Sequence, residues 1–87
     1  METRVALIAI IVEDPDSVQA INQLLHEYGE CIIGRMGIPY REKGISIISI
    51  AIDAPQEVIS ALSGKIGRLP RVSAKTAYSN VVTKVSP

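Results

Sequence analysis

Eighty-seven residues carry nine basic and nine acidic side chains, so the formal net charge is zero, with 47% hydrophobic and 21% charged residues. That balance leaves no broad positive field for a phosphate backbone or an anionic membrane, and the apolar content excludes a disordered tail. The length holds one domain around one small core, and with no Trp, no Phe and three Tyr that core must be aliphatic.

Arg4 to Val12 is β-branched and aliphatic with no breaker inside it, the pattern of a central strand. Its apolar run, Val5 to Val12, is too short to span a bilayer and precedes no small-residue cleavage site, so the expected location is the cytoplasm. Asp14 then offers a carboxylate to a helix opening on Pro15. Val18, Ile21, Leu25 and Tyr28 follow at helical spacing, and Gly29 is expected to supply a left-handed stop.

A second strand reads from Cys31 to Ile38, weakened by Gly34 and Gly37, then a charged turn from Tyr40 to Gly44 and a third strand from Ile45 to Ile52. A second helix starts near Pro55, buries Val58, Ile59, Leu62 and Ile66, and closes at Gly67. Val72, Ala74, Thr76 and Tyr78 alternate as a fourth strand. The domain is placed at residues 1–79, with 80–87 as a tail.

The junction of apolar strand, acid and proline occurs twice: Ile10-Ile11-Val12-Glu13-Asp14-Pro15, then Ile50-Ala51-Ile52-Asp53-Ala54-Pro55. Two such junctions in the order βαββαβ predict an α+β, ferredoxin-like sandwich. Right-handed crossovers give an antiparallel sheet in the order 4-1-3-2, with both helices on one face.

Such a sandwich needs one apolar sheet face, because water covers the other. Ile8, Ile10, Val12, Ile48, Ile50 and Ile52 are assigned to the helices. The opposite set, Val5, Leu7, Ala9, Ile11, Ile45, Ile47, Ser49 and Ala51, is nearly as apolar and forms a patch on the scale that signals a partner. A homo-oligomer, dimer or tetramer, is expected to cover it through Val5, Leu7, Ile11, Ile45 and Ile47. The other cover would be Val81, Val82 and Val85 folding back. Arg35, Lys75, Cys31 and Arg71 are expected at the rim of this second face.

No catalytic constellation stands out. One His and one Cys cannot assemble a four-ligand metal site within one chain, and a lone Cys31 makes no internal disulfide; no cofactor is expected. His26 lies off the apolar stripe and reads as solvated. Ser63-Gly64-Lys65-Ile66-Gly67-Arg68 ends a helix, whereas a phosphate loop begins one; Gly64 would permit a close approach. Glu13 and Asp14 read as a helix cap. The hairpin residues Gly34, Arg35, Gly37, Tyr40 and Arg41 are the candidate effector site, because arginines donate paired hydrogen bonds to anions. Equally, the glycines would suit an edge strand that resists aggregation.

Four stretches, Ile10 to Glu13, Leu24 to Gly29, Gly34 to Glu42 and Ala61 to Pro70, together resemble the family of small iron-only hydrogenase system regulators. The resemblance implies an ACT-like version of the fold, akin to ligand-sensing domains and to the C-terminal domain of the nickel-responsive repressor. It also implies an oligomer and a regulatory role in hydrogenase or anaerobic metabolism. The repressor's histidine-rich nickel site has no counterpart here. No helix-turn-helix or basic arm supports direct DNA binding.

The leading expectation is therefore a non-enzymatic sensor that self-associates, binds a small effector and acts on a protein partner. An interaction adaptor is the alternative. An acylphosphatase-like enzyme is disfavoured, since its phosphate loop would fall on the acidic run Glu13 to Asp16.

Overall fold

The computed structural model describes residues 2–84. They form β1 (Glu2–Val12), α1 (Pro15–Glu27), β2 (Ile32–Tyr40), β3 (Ile45–Ala54), α2 (Gln56–Gly67) and β4 (Val72–Lys84). The sheet is antiparallel throughout, in the order β2-β3-β1-β4. Read from the other edge this is 4-1-3-2, the ferredoxin-like, ACT-like arrangement expected from the sequence.

Side chains alternate across each strand, so every second residue of the central pair turns to the helices. Ile8, Ile10, Val12, Ile48, Ile50 and Ile52 are all buried there, in one cluster with Ile21 and Leu25 of α1 and Ile59, Leu62 and Ile66 of α2. Val58 is only partly buried against that cluster. Among the described residues no helix is long and apolar enough to cross a membrane.

The helix starts differ between the two junctions. Asp14 caps α1 with Pro15 in its first turn, and the Asp14 carboxylate accepts the Asp16 N–H at 3.0 Å. Pro55 itself caps α2 and no side chain closes the end, while Asp53 remains in the strand.

The helix ends depart from expectation. Gly29 has no positive φ: α1 runs through Tyr28 into a 3-10 turn, Gly29–Cys31, where the Tyr28 N–H donates to Leu24 O and the Cys31 N–H to Tyr28 O. Those bonds satisfy terminal carbonyls without a left-handed residue. Gly67 likewise lacks positive φ, and the left-handed positions are Gly44, φ 65, closing the β2–β3 turn, and Arg71, φ 57, ahead of β4. Gly64 admits no close neighbour either, since the nearest atom to a Cβ built there is Arg68 Nη1 at an ordinary 3.6 Å.

The expected tail from residue 80 is strand as far as Lys84, paired with the start of β1. Val82 lies opposite Arg4 and, like Val81, is exposed, so neither folds back over the sheet; Val85 lies outside the described residues. A bulge between Arg4 and Ala6 on this edge is clasped by Arg4, which donates to Ser79 O and Gln56 Oε1 and lies over the Tyr78 ring.

Candidate functional site

Two surfaces flank the edge strand β2, and one irregularity in that strand sorts residues between them. Ile32 pairs with Ile52 but Gly34 pairs with Ala51, so Ile33 is an extra residue, a β-bulge. After it, Arg35, Gly37 and Pro39 sit opposite Ile50, Ile48 and Ser46, on the helix side, while Gly34, Met36, Ile38 and Tyr40 join the helix-free face. The expectation that Arg35 projects to the helix-free face is thereby corrected, because a one-residue slip exchanges the two sides of a strand.

The helix-free face is crossed by three cross-strand rows: Ile38, Ile47, Ile11, Ser73; then Met36, Ser49, Ala9, Lys75; then Gly34, Ala51, Leu7, Ala77. Small residues keep the middle smooth, and large aliphatics stand open to solvent at Val5 (44% exposed), Leu7 (46%), Ile11 (40%), Ile47 (39%), Met36 (69%) and Ile38 (59%). Ile45, half-buried, pairs with Tyr40 at one end. All five residues predicted for an interface thus share one surface. Met36 and Ile38 are additions that strict alternation from Cys31 had hidden; Gly34 directly after two isoleucines was the available signal, since glycine inside a strand often marks a bulge. Of the basic rim only Lys75 is on this face. Cys31 packs against the core from its 3-10 turn, and Arg71 lies in the turn before β4, where its carbonyl accepts the Glu13 N–H at 2.9 Å.

The five predicted effector residues are divided. Gly34 and Tyr40 belong to the helix-free face, Arg35 and Gly37 to the helix side, and Arg41 to the turn Arg41–Lys43, while the Tyr40 hydroxyl donates to Glu42 Oε2 at 3.0 Å. On the helix side a trench separates α1 from β2. At one end Asn22, Leu25, His26, Gly29, Ile32 and Arg35 line a hollow of about 370 Å³. At the other, Val18, Gly37, Pro39 and Ile48 are among the walls of a hollow of about 240 Å³ that Arg35 also borders. An Arg35 guanidinium N–H donates to Asn22 Oδ1 at 3.0 Å across the trench. His26, exposed as expected from the sequence, sits one helical turn beyond Asn22 in the same wall.

Two contacts hold the frame around these surfaces. The buried Ser17 hydroxyl donates to Pro70 O at 2.8 Å, tying the start of α1 to the loop before β4. The Lys65 ammonium donates to the Tyr28 hydroxyl at 2.9 Å, and that bond raises the lysine's pKa above its ordinary value. At the β1–α1 junction the helix N-terminus is occupied by the Asp14 carboxylate, where a phosphate-binding loop would leave it open. No group of three or more His, Cys, Asp or Glu side chains suited to a metal ion occurs among the described residues.

Residues 4–76 match the model of the TM1266-like family, described as "Iron-only hydrogenase system regulator, putative". The chain belongs to that family. Among solved structures it is similar to the uncharacterized protein TM1266 from Thermotoga maritima, at 34% identity and a TM-score of 0.83, covering 87% of this chain and 96% of that one. It is also similar in fold to a formyltetrahydrofolate deformylase from Pseudomonas putida KT2440. There the identity is 14% and the TM-score 0.61, over 90% of this chain and 29% of that one. Comparison with curated proteins gives no match. The resemblance read from the glycine-containing stretches thus holds at the level of the family.

Proposed function

We propose that this member of the TM1266-like family is a non-enzymatic regulatory module that self-associates through the helix-free sheet face and senses a small effector in the service of hydrogenase or anaerobic metabolism. The observation that carries the reading is the exposed apolar face itself. Ile38, Ile47 and Ile11 form one cross-strand row, and Leu7 lies two rows away across Ala9 and Ser49, an apolar surface suited to packing on a second sheet about 10 Å away. Each large aliphatic removed from water there contributes about 1.5–3 kcal/mol, a substantial gain for a domain of this size.

The occupant argued for is a second copy. The three central rows of the face carry one charge, Lys75 at the β4 edge, and exposed Asp53 stands opposite Val5 toward one end, both where an interface rim belongs. The family description supports the regulatory half of the reading, and the acidic, self-capped β1–α1 junction supports the non-enzymatic half.

Light scattering on the purified chain across micromolar concentrations tests it. A dimer or tetramer that dissociates on dilution is expected. A persistent monomer would shift the face to a different protein and leave an interaction adaptor as the better reading.

A further inference from the structure

The geometry points to the α1–β2 trench as a seat for a small carboxylate with an apolar chain, its carboxylate on Arg35 and His26 and its chain along the surface left bare by Gly37. This names the effector class of the sensing module proposed above and rests on that reading.

Charge is the first argument. Neither hollow is lined by an Asp or Glu among the described residues, and both are bordered by the Arg35 guanidinium, with the His26 imidazole as a further hydrogen-bonding group in one of them. A guanidinium has five N–H donors. The bond from Arg35 to Asn22 engages a neutral amide, which orients the fork without neutralising it. An oriented arginine with free donors is suited to a carboxylate in the paired geometry.

Shape is the second. Leu25 and Ile32 give the polar hollow apolar walls, and beyond Arg35 the lining turns to Val18, Pro39 and Ile48. Gly37 sits opposite Ile48 on the side facing α1, and a Cβ built on it would meet no atom within 4 Å. The space there is open, and a side chain at this position would enter it. From Arg35 to Pro39 the extended strand runs about 13 Å, room for a short alkyl chain beyond the carboxylate. A bare phosphate would use the polar hollow and leave the apolar one unoccupied.

Isothermal titration of the full chain with octanoate, its neutral counterpart octanamide and inorganic phosphate tests the assignment. Saturable octanoate binding at one site per chain is expected, with octanamide and phosphate at least about tenfold weaker. Arg35→Gln should lose at least about tenfold in octanoate affinity, with partial recovery in Arg35→Lys. Gly37→Leu should abolish binding while circular dichroism and Tm show the fold intact, and Leu7→Glu, on the opposite face, should bind as the parent does.

Absence of saturable octanoate binding, equal affinity for octanamide or phosphate, or binding that survives Gly37→Leu and is lost in Leu7→Glu would overturn the assignment. Self-association is read separately by light scattering, so failure of the trench and failure of the module reading give different results.

Discussion

The two faces of this sheet are built from nearly the same residues and meet opposite surroundings. On the helix side Ile8, Ile10, Ile50 and Ile52 are closed off by α1 and α2, while one position along the same strands Leu7, Ile11 and Ile47 are open. A two-layer sandwich is complete with one dry face. The helices therefore decide which face is core, and the apolar character of the second exceeds what folding a single copy requires. That surplus is the part of the sequence that speaks about assembly.

The sharpest way to break the comparison is to remove the same atoms from each side. Ile50→Ala, fully buried between Ile8 and Arg35 in the neighbouring strands, should cost about 2–5 kcal/mol in chemical denaturation at every protein concentration. Ile47→Ala should cost a dilute sample less than about 1 kcal/mol, with a deficit that grows as concentration rises and assembly begins to contribute. Equal, concentration-independent losses would mean that the open face serves only the monomer.

Charge on the open face gives the next largest effect. Leu7→Glu with Ile11→Glu should weaken self-association at least about a hundredfold, because two aliphatics leave the interface and like charges enter it. Size-exclusion chromatography with light scattering should then show a folded monomer. Unfolding of the pair would contradict the exposure of both side chains.

Much of this was legible in the sequence. The strand, acid and proline junctions specified βαββαβ, and period-two alternation in the central strands separated the faces correctly. The edge strand was not legible in the same way. Alternation counted from Cys31 put Arg35 on the wrong side, because Ile33 is an extra residue and the glycine after it, the local sign of a bulge, reads equally as an edge-strand glycine. The trench was hidden for a related reason: Asn22 and His26 are unremarkable on a helical wheel, and they acquire a role only when the bulge turns Arg35 toward them. Glycine as a helix stop also misled at Gly29 and Gly67, since 3-10 geometry satisfied the helix end at Gly29 and neither glycine has a positive φ.

Ile33 is the unpaired residue of the bulge, and deleting it tests that pairing. Without it Ile32 and Gly34 would follow one another opposite Ile52 and Ala51 as a regular ladder, so Arg35, Met36 and Ile38 should keep their partners and their faces. A change of less than about 1 kcal/mol in chemical denaturation is expected. Self-association by light scattering should stay as in the parent, because the open face keeps Met36 and Ile38. A large loss of either would show that the ladder slips by one residue, which exchanges the faces of β2.

Lys75 supplies the smallest effect and the finest discrimination. It is paired with Ala9 on the open face but belongs to the β4 edge, so in an assembly it borders the apolar centre. A rim charge contributes little to stability and mainly adjusts association and its salt dependence. Lys75→Met should leave monomer stability within about 0.5 kcal/mol. It should strengthen self-association only a few-fold and remove part of its salt dependence, as read from dissociation midpoints at low and high ionic strength. A large loss of assembly instead would place Lys75 at the centre of the contact, paired with an acidic group of the facing copy, and would shift the interface toward β4.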